Sequence, residues 1–542
     1  MSGGTMKQHS ARRYRWTRLL VLVTTLSVAA ISCGDNKQSS GSATTAAGTG
    51  GSVASTTTAP KRGGSVTMNQ GLESRGFDPV LLGGFASGDA PAAGAIFDFL
   101  MRWDEKANKV VPQLAESLQT TDSLTWTMHL RTGVTFTDGT PFNAAAVIFN
   151  IKRLQEPANA GSFGAGGASL IKSMDSPDPL TVVFTLNTAL PTFDVNFTNR
   201  LAFIGSPTAI TASGKDFATK PVGAGPFIFK EWVRDDHLTL VRNPNYWNAP
   251  RPYLDSVTIK PVTDIQQNRN SLDAGEAQAS YVVDGETIDN FKAKNWQYAT
   301  VALNGGQGLM FNVRRAPFND LNARLGIAYA IKDDDYNKIV YNGHARSGRT
   351  VFVPESAFFS NANQPPGYNA DLAKKAFDDY KTKNGAPLSF TYNAFQTTSS
   401  QAIGQFLQSV LKPYGVDVKI KVGDTNANVT DVFGANYDTV NWGINLASEP
   451  EPQLSNFFLT ASKGNLMGFT DPVADAGLKQ ATATADLAAR KDGYAKLQTA
   501  FNQQVPFLLL NLPKEGIVAS PKLGGVRLSS GGILMFDEMT IN

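Results

Sequence analysis

Residues 111–154, VPQLAESLQTTDSLTWTMHLRTGVTFTDGTPFNAAAVIFNIKRL, constrain the fold more than any other stretch of this chain. Leu124–Leu130 alternates bulky apolar with smaller or polar side chains, the pattern of a strand with one buried face. Asp138-Gly139 marks a tight turn, because glycine supplies a positive φ at little steric cost. Pro141-Phe142-Asn143 then opens an alanine-rich helix. Asn143 is placed to cap it, and Val147, Ile148, Ile151 and Leu154 share one stripe. Strand, turn and capped helix therefore follow one another without a gap.

The chain of 542 residues exceeds the size of one ordinary hydrophobic core, so two or more lobes are expected. Its 42% hydrophobic and 18% charged content, with 49 glycines, fits a loop-rich globular protein. Lys7, Arg12, Arg13, Arg15 and Arg18 all precede Cys33, and no acid does. Without them 44 basic residues face 46 acidic ones, a net charge of −2. That balance gives no electrostatic case for nucleic acid.

The amino-terminal segment 1–32 reads as an export signal. A basic stretch, ARRYRWTR, precedes an apolar run from Leu19 to Ile31 that is short for a bilayer span. Ala30-Ile31-Ser32-Cys33 resembles a bacterial lipoprotein cleavage box, and Cys33 is the single cysteine of the chain. Lipidation there would anchor the protein to the membrane, since two or more acyl chains hold where one is marginal. Residues 33–62 are rich in Ser, Thr, Gly and Ala and read as a flexible tether. One cysteine and four histidines leave no disulfide framework and no Cys/His zinc site. His129 falls in the first expected strand and reads as structural.

Three further blocks join the first. PVGAGPFIFKEWVRDDHLTLVRNPNYW (221–247) is a hairpin pattern, strands Phe227–Val233 and Leu238–Arg242 around a polar turn, with Gly223 and Gly225 placed for close backbone approach. In 309–344, Leu321, Leu325, Ala328 and Ile331 are spaced for one helix face, and Arg324 points away from it as a surface or interlobe ion-pair residue. Tyr437–Pro452, YDTVNWGINLASEPEP, is followed by a helical pair and a closing apolar strand after Gln504. In this order the blocks resemble the peptide- and nickel-binding family of ABC-transporter solute receptors, over about residues 63–540.

The resemblance implies an α/β, two-lobed periplasmic-binding-protein-like fold of type II with an extra subdomain, and a ligand cleft between the lobes. Mapped by motif, the first lobe holds 63–285 and 506–542, the subdomain about 96–215, and the second lobe 286–505. The implied function is capture of a peptide-like ligand by hinge closure and delivery to ABC permease and ATPase subunits. The implied protein is a monomer that needs no cofactor and is not an enzyme. A nickel chelate or modified sugar as ligand, or ligand sensing without transport, are the alternatives. For a secreted hydrolase the chain has neither a G-x-S-x-G elbow nor an H-E-x-x-H helix.

In the family, an acid three residues after the tryptophan of "W-x-A-D" pairs the peptide's amine. Here Trp442 is followed by Asn445, and the segment is one residue longer before Glu449-Pro450. Asparagine accepts a hydrogen bond from an ammonium but does not neutralise it. Either Glu449 or Glu451 takes over the charge, or the ligand lacks a free α-amine; a further reading has both as solvated loop acids. Trp442 lines the cleft or closes the core at the end of its strand. Ala146 stands where the family has an acid near the helix amino-terminus, a change bearing on stability by about 0.3–1 kcal/mol.

Overall fold

The computed structural model describes residues 60–84, 86–361 and 364–542. The export segment 1–32, Cys33 and the tether as far as residue 59 lie outside the described residues. Among the described residues no helix is long and apolar enough to cross a membrane.

Two mixed sheets organise the molecule. The first has seven strands in the order Gln297–Ala299, Gly516–Ala519, Ala279–Val282, Ser65–Gln70, Ser256–Pro261, His237–Arg242, Phe227–Val233. Ser65–Gln70 runs parallel to both its neighbours, and the remaining pairs are antiparallel. The second has six, in the order Arg346–Ser347, Phe507–Leu512, Asn304–Phe311, Thr439–Leu446, Ser389–Phe395, Asp417–Gly423. Its core lies on both faces. Leu309, Phe311, Leu508 and Leu510 point into one cluster, and Met310, Phe507 and Leu509 into the other. This is why these strands read as continuous apolar runs: a strand covered on both sides has no polar face.

Between the sheets the chain crosses twice, over 300–303 and 513–515. The hydroxyls of Thr300 and Tyr298 donate to the Glu515 carbonyl at 2.7 and 3.0 Å, tying the crossings together. Sheet membership moves the motif-derived boundaries. Gln297–Ala299 pairs in the first sheet and Phe507–Leu512 in the second. The crossings therefore fall near 300 and 513 rather than at 285 and 505. The shift is a matter of pairing: a motif marks where a pattern starts, whereas hydrogen bonding decides which sheet a strand joins.

A four-stranded antiparallel sheet, Ala115–Thr120, Thr125–Leu130, Thr181–Leu186, Ile171–Asp178, forms the subdomain. Trp126, Met128 and Leu130 alternate inward. Helix Ala144–Gln155 covers the sheet, with the Asn143 side chain accepting from the Ala146 amide at 3.0 Å. Its buried stripe contains Val147, Ile151 and Leu154, with Ile148 at the margin. Asp138 accepts from the Thr140 amide, and Gly139 takes φ 82°. Ala146 is buried, so its methyl is a packing group. Gly223 and Gly225 do allow close approach: a Cβ there would lie 2.2 Å from the Ile96 carbonyl oxygen and 2.4 Å from that of Ala95. His129 is exposed, its Nδ1 3.1 Å from the Thr181 hydroxyl.

One helix departs from expectation. In Leu321–Ala330 the buried face is Ala323, Ile327 and Ala330 with Arg324 and Ala328, while Leu321 is 38% exposed. Arg324 is buried, and among the described residues it has no ion-pair partner within salt-bridge distance. It donates through Nε to the Gln504 carbonyl at 2.8 Å and through Nη1 to that of Phe318, and burial pushes its pKa down to about 10. Its guanidinium thus satisfies the last carbonyl of helix Leu487–Gln504, an end that lacks an intrahelical donor.

Candidate functional site

In open α/β sheets, ligands settle in the crevice beyond the carboxyl ends of the strands, where neighbouring loops diverge. Here those ends face one another across the two lobes. Ala279–Val282 of the first sheet runs into Val283-Asp284-Gly285. Thr439–Leu446, Ser389–Phe395 and Phe507–Leu512 of the second end at the same crevice, beside the start of Asn304–Phe311. The cavity between them measures about 600 Å³, a size suited to a small ligand.

Amides from three strands line it: Gln307, Asn445 and Asn511. Gln307 and Asn445 are exposed and flank Gly443, whose missing Cβ would lie 3.8 Å from both side chains. Asn511 Oδ1 is buried and has no hydrogen-bond partner among the described residues. An amide offers both donor and acceptor, as a peptide bond requires. Two nearby cations are already engaged. Arg269 donates to Asp284 at 2.8 Å and Glu286 at 3.0 Å. Lys514, on the second crossing, donates to both oxygens of Asp289 at 2.8 and 2.9 Å and to the His344 carbonyl at 3.0 Å. His344 Nδ1 lies 3.0 Å from the same carboxylate. Burial alone would raise the pKa of Asp289, but Lys514 and His344 outweigh it and hold the carboxyl below its usual range. Asp289 belongs to the first lobe and His344 to the second, so this network joins the lobes at the rim. A Cβ on Gly285 would lie 1.9 Å from the His344 carbonyl oxygen.

A smaller cavity of about 290 Å³ opens between the subdomain and the loop after Leu446. Leu170, Leu190 and Val195 face Glu449, Glu451 and Pro452 across it. Glu449 is buried, and both its oxygens are held by Arg490, one at 2.7 Å from Nη1. Arg490 also donates to the Tyr494 hydroxyl at 2.9 Å and lies under the Phe358 ring. Glu451 accepts from the Ser455 amide at 3.2 Å and lies 3.4 Å from the Tyr494 hydroxyl. Burial pushes its pKa up to about 7. Asp194 of the subdomain, within electrostatic reach of Glu449 and Arg490, is likewise pushed up to about 6 by burial. A third interlobe contact stands nearby: the Ser448 hydroxyl donates to Glu105 at 3.0 Å.

The sequence-derived residues therefore separate. Asn445 lies in the larger crevice. Glu449 and Glu451 lie at the smaller cavity, and neither is a solvated loop acid. Trp442 lines neither; it is half-buried, 6.4 Å from Phe395 between ring centroids, on the flank of a second-lobe cluster. Cys33 is outside the described residues. Gln307, Asn511, Lys514 and Asp194 were not singled out from the sequence. A polar residue interrupting an apolar run, as Asn511 does in LLLNL, is the one signal that could have found any of them.

Residues 109–465 match the model of the bacterial extracellular solute-binding proteins, family 5. The chain belongs to that family. The glutathione-binding protein GsiB of Pectobacterium atrosepticum is 29% identical over 452 residues, covering 80% of this chain and 86% of the relative. Among solved structures, the periplasmic binding protein DppA of Helicobacter pylori, in complex with peptide STSA, superposes with a TM-score of 0.71 at 24% identity over 89% of this chain and 98% of that one. NikA of Brucella suis, in complex with Fe(III)-EDTA, gives 0.75 at 20% identity over 88% and 100%. The fold is thus the two-lobed one of periplasmic binding proteins. Family members of this kind bind solutes outside the cytoplasm and work with ABC permeases.

Proposed function

We propose that this family 5 receptor captures a peptide-like solute in the interlobe crevice and delivers it to an ABC permease. The row of amides Gln307, Asn445 and Asn511 at the strand ends carries the reading. Such groups replace the water around a peptide backbone without demanding a particular side chain, much as an added strand does. The glutathione- and peptide-binding relatives support the same class of ligand. Closure then follows from differential affinity, because groups on both lobes meet the ligand only when the lobes approach.

Calorimetric titration with glutathione and with di- to pentapeptides tests it. At least one of these is expected to bind, and Asn445→Ala with Gln307→Ala should weaken that binding about tenfold or more. If none binds while a metal chelate or a sugar does, the peptide reading fails. Cys33 is read as the lipid attachment point of an extracytoplasmic protein, on the strength of the AISC sequence and the tether behind it. Cys33→Ala should release the protein from membranes into the soluble fraction; unchanged retention would sink the anchor.

A further inference from the structure

The two lobes offer the larger crevice different chemistry. The second lobe brings the amides of Gln307, Asn445 and Asn511, and the first brings Ile265 and Val283. Ile265 is 48% exposed and Val283 61%, and neither belongs to a core cluster. A helix cap fixes each where it stands. Asp264 accepts from the Gln267 amide at 2.7 Å, and Ile265 opens the helix that follows, Ile265–Asp273. Asp284 accepts from the Thr287 amide at 2.8 Å and caps Gly285–Ala293, with Val283 just before the cap. An apolar residue there commonly packs on the fourth helical residue, here Ile288. Ile288 is fully buried while Val283 is left mostly bare, so that packing does not account for Val283. Single apolar side chains scattered over a surface are ordinary; two on the wall of one ligand-sized crevice call for an occupant.

The charges of the lining point the same way. Its basic side chains are Arg269, Lys514 and His344. Arg269 pairs with Asp284 and Glu286, and Lys514 and His344 share Asp289. The remaining acid of the lining, Glu515, accepts from the Tyr281 hydroxyl. Among the lining residues no cation is left over for a carboxylate on the cargo. We propose that the crevice selects peptides with an apolar side chain, seated against Ile265 and Val283 while the backbone faces the amides, and discriminates against acidic peptides such as glutathione. The assignment rests on the peptide reading and narrows it. An apolar side chain placed there takes its own surface and that of the two residues out of water. A side-chain carboxylate loses its hydration with no free cation to replace it. The preferred cargo thus differs from that of the glutathione-binding relatives.

Calorimetric titration of the full chain with peptides that differ only in one side chain tests the proposal. The series is made at the length that binds most tightly; for a tripeptide it is Ala-Leu-Ala, Ala-Asn-Ala and Ala-Asp-Ala, whose central side chains are close in size. The leucine peptide is expected to bind about tenfold or more tightly than the asparagine peptide, with the aspartate peptide weakest of the three. Ile265→Thr combined with Val283→Thr keeps both β-branches and should bring the leucine preference down to about twofold. Both side chains are exposed, so the thermal midpoint of that variant should stay close to the parent's. Equal binding of the three peptides, or a leucine preference that survives in the variant, overturns the assignment and leaves the peptide reading standing; the first comparison needs no variant to fold. If glutathione binds and the leucine peptide does not, the assignment falls alone. If no peptide of any kind binds, the peptide reading falls and takes the assignment with it.

Discussion

At the scale of single residues, the acids around the loop after Leu446 divide by partner. Glu449 forms a buried ion pair with Arg490; Glu451 and Asp194 form none among the described residues, and burial raises their pKa values. The sign of their pH effect follows. Burial raises both native pKa values, to about 7 and about 6, above ordinary values of 4.5 and 3.8. The native state then binds more protons than the unfolded chain between those limits. Their contribution to stability is full below the ordinary values and is lost as pH rises through 6 to 7. Without ligand, the thermal midpoint of Glu451→Gln should gain on the parent between pH 5 and 8, as should that of Asp194→Asn. A constant difference across that range would contradict the account. Arg490→Met makes the opposite test, by leaving Glu449 buried and unpaired. It should cost about 3–5 kcal/mol in denaturant unfolding, and Glu449→Gln on top should restore part of that. In the sequence both glutamates belong to one loop. The sequence could not say which had a cation, because Arg490 lies 41 positions away and meets Glu449 only through the fold.

At the scale of elements, the legible pieces are those whose signals are local. The hairpin, the subdomain strand, the Asp138-Gly139 turn and the Asn143 cap each depend on a few adjacent residues, and each is present. Asn143→Ala should destabilise the subdomain by about 1 kcal/mol, seen as faster amide exchange in the first turn of Ala144–Gln155. Exchange no faster than in the parent would mean that the cap bond is not made. Helix Leu321–Ala330 shows where such signals stop. Its apolar residues fit two stripes, and periodicity cannot choose between them. Packing chooses the one carrying Ala323 and Ile327, since Gly326 sits against the Phe377 ring, at 2.5 Å from where a Cβ would be. The glycine that reads as a weak point in an isolated helix is a contact surface here.

For the whole molecule, the two lobes touch at Gly285 and His344, at Asp289 and His344 with Lys514, and at Ser448 and Glu105. These contacts surround the crevice, so they set how nearly the strand ends can meet. Gly285→Ala places a methyl 1.9 Å from the His344 carbonyl oxygen, a backbone atom that cannot swing aside. The lobes must then part at that point. Small-angle scattering should show a larger radius of gyration than the parent's, while the unfolding midpoint changes little. An unchanged radius would show that this contact does not limit closure.

Sequence alone determined the family, the α/β character, the capped helix of the subdomain and the departure at Asn445. All of these rest on residues adjacent in the chain or on motifs in a fixed order. Only the tertiary structure decided where the crossings fall, that Trp442 packs on Phe395, that Arg324 is buried, and that Glu449 pairs with Arg490 while Glu451 does not. The physical reason is common to them. Sheet pairing, desolvation and charge pairing are properties of neighbours in space, and residues far apart in the chain become neighbours only when the strands that carry them assemble.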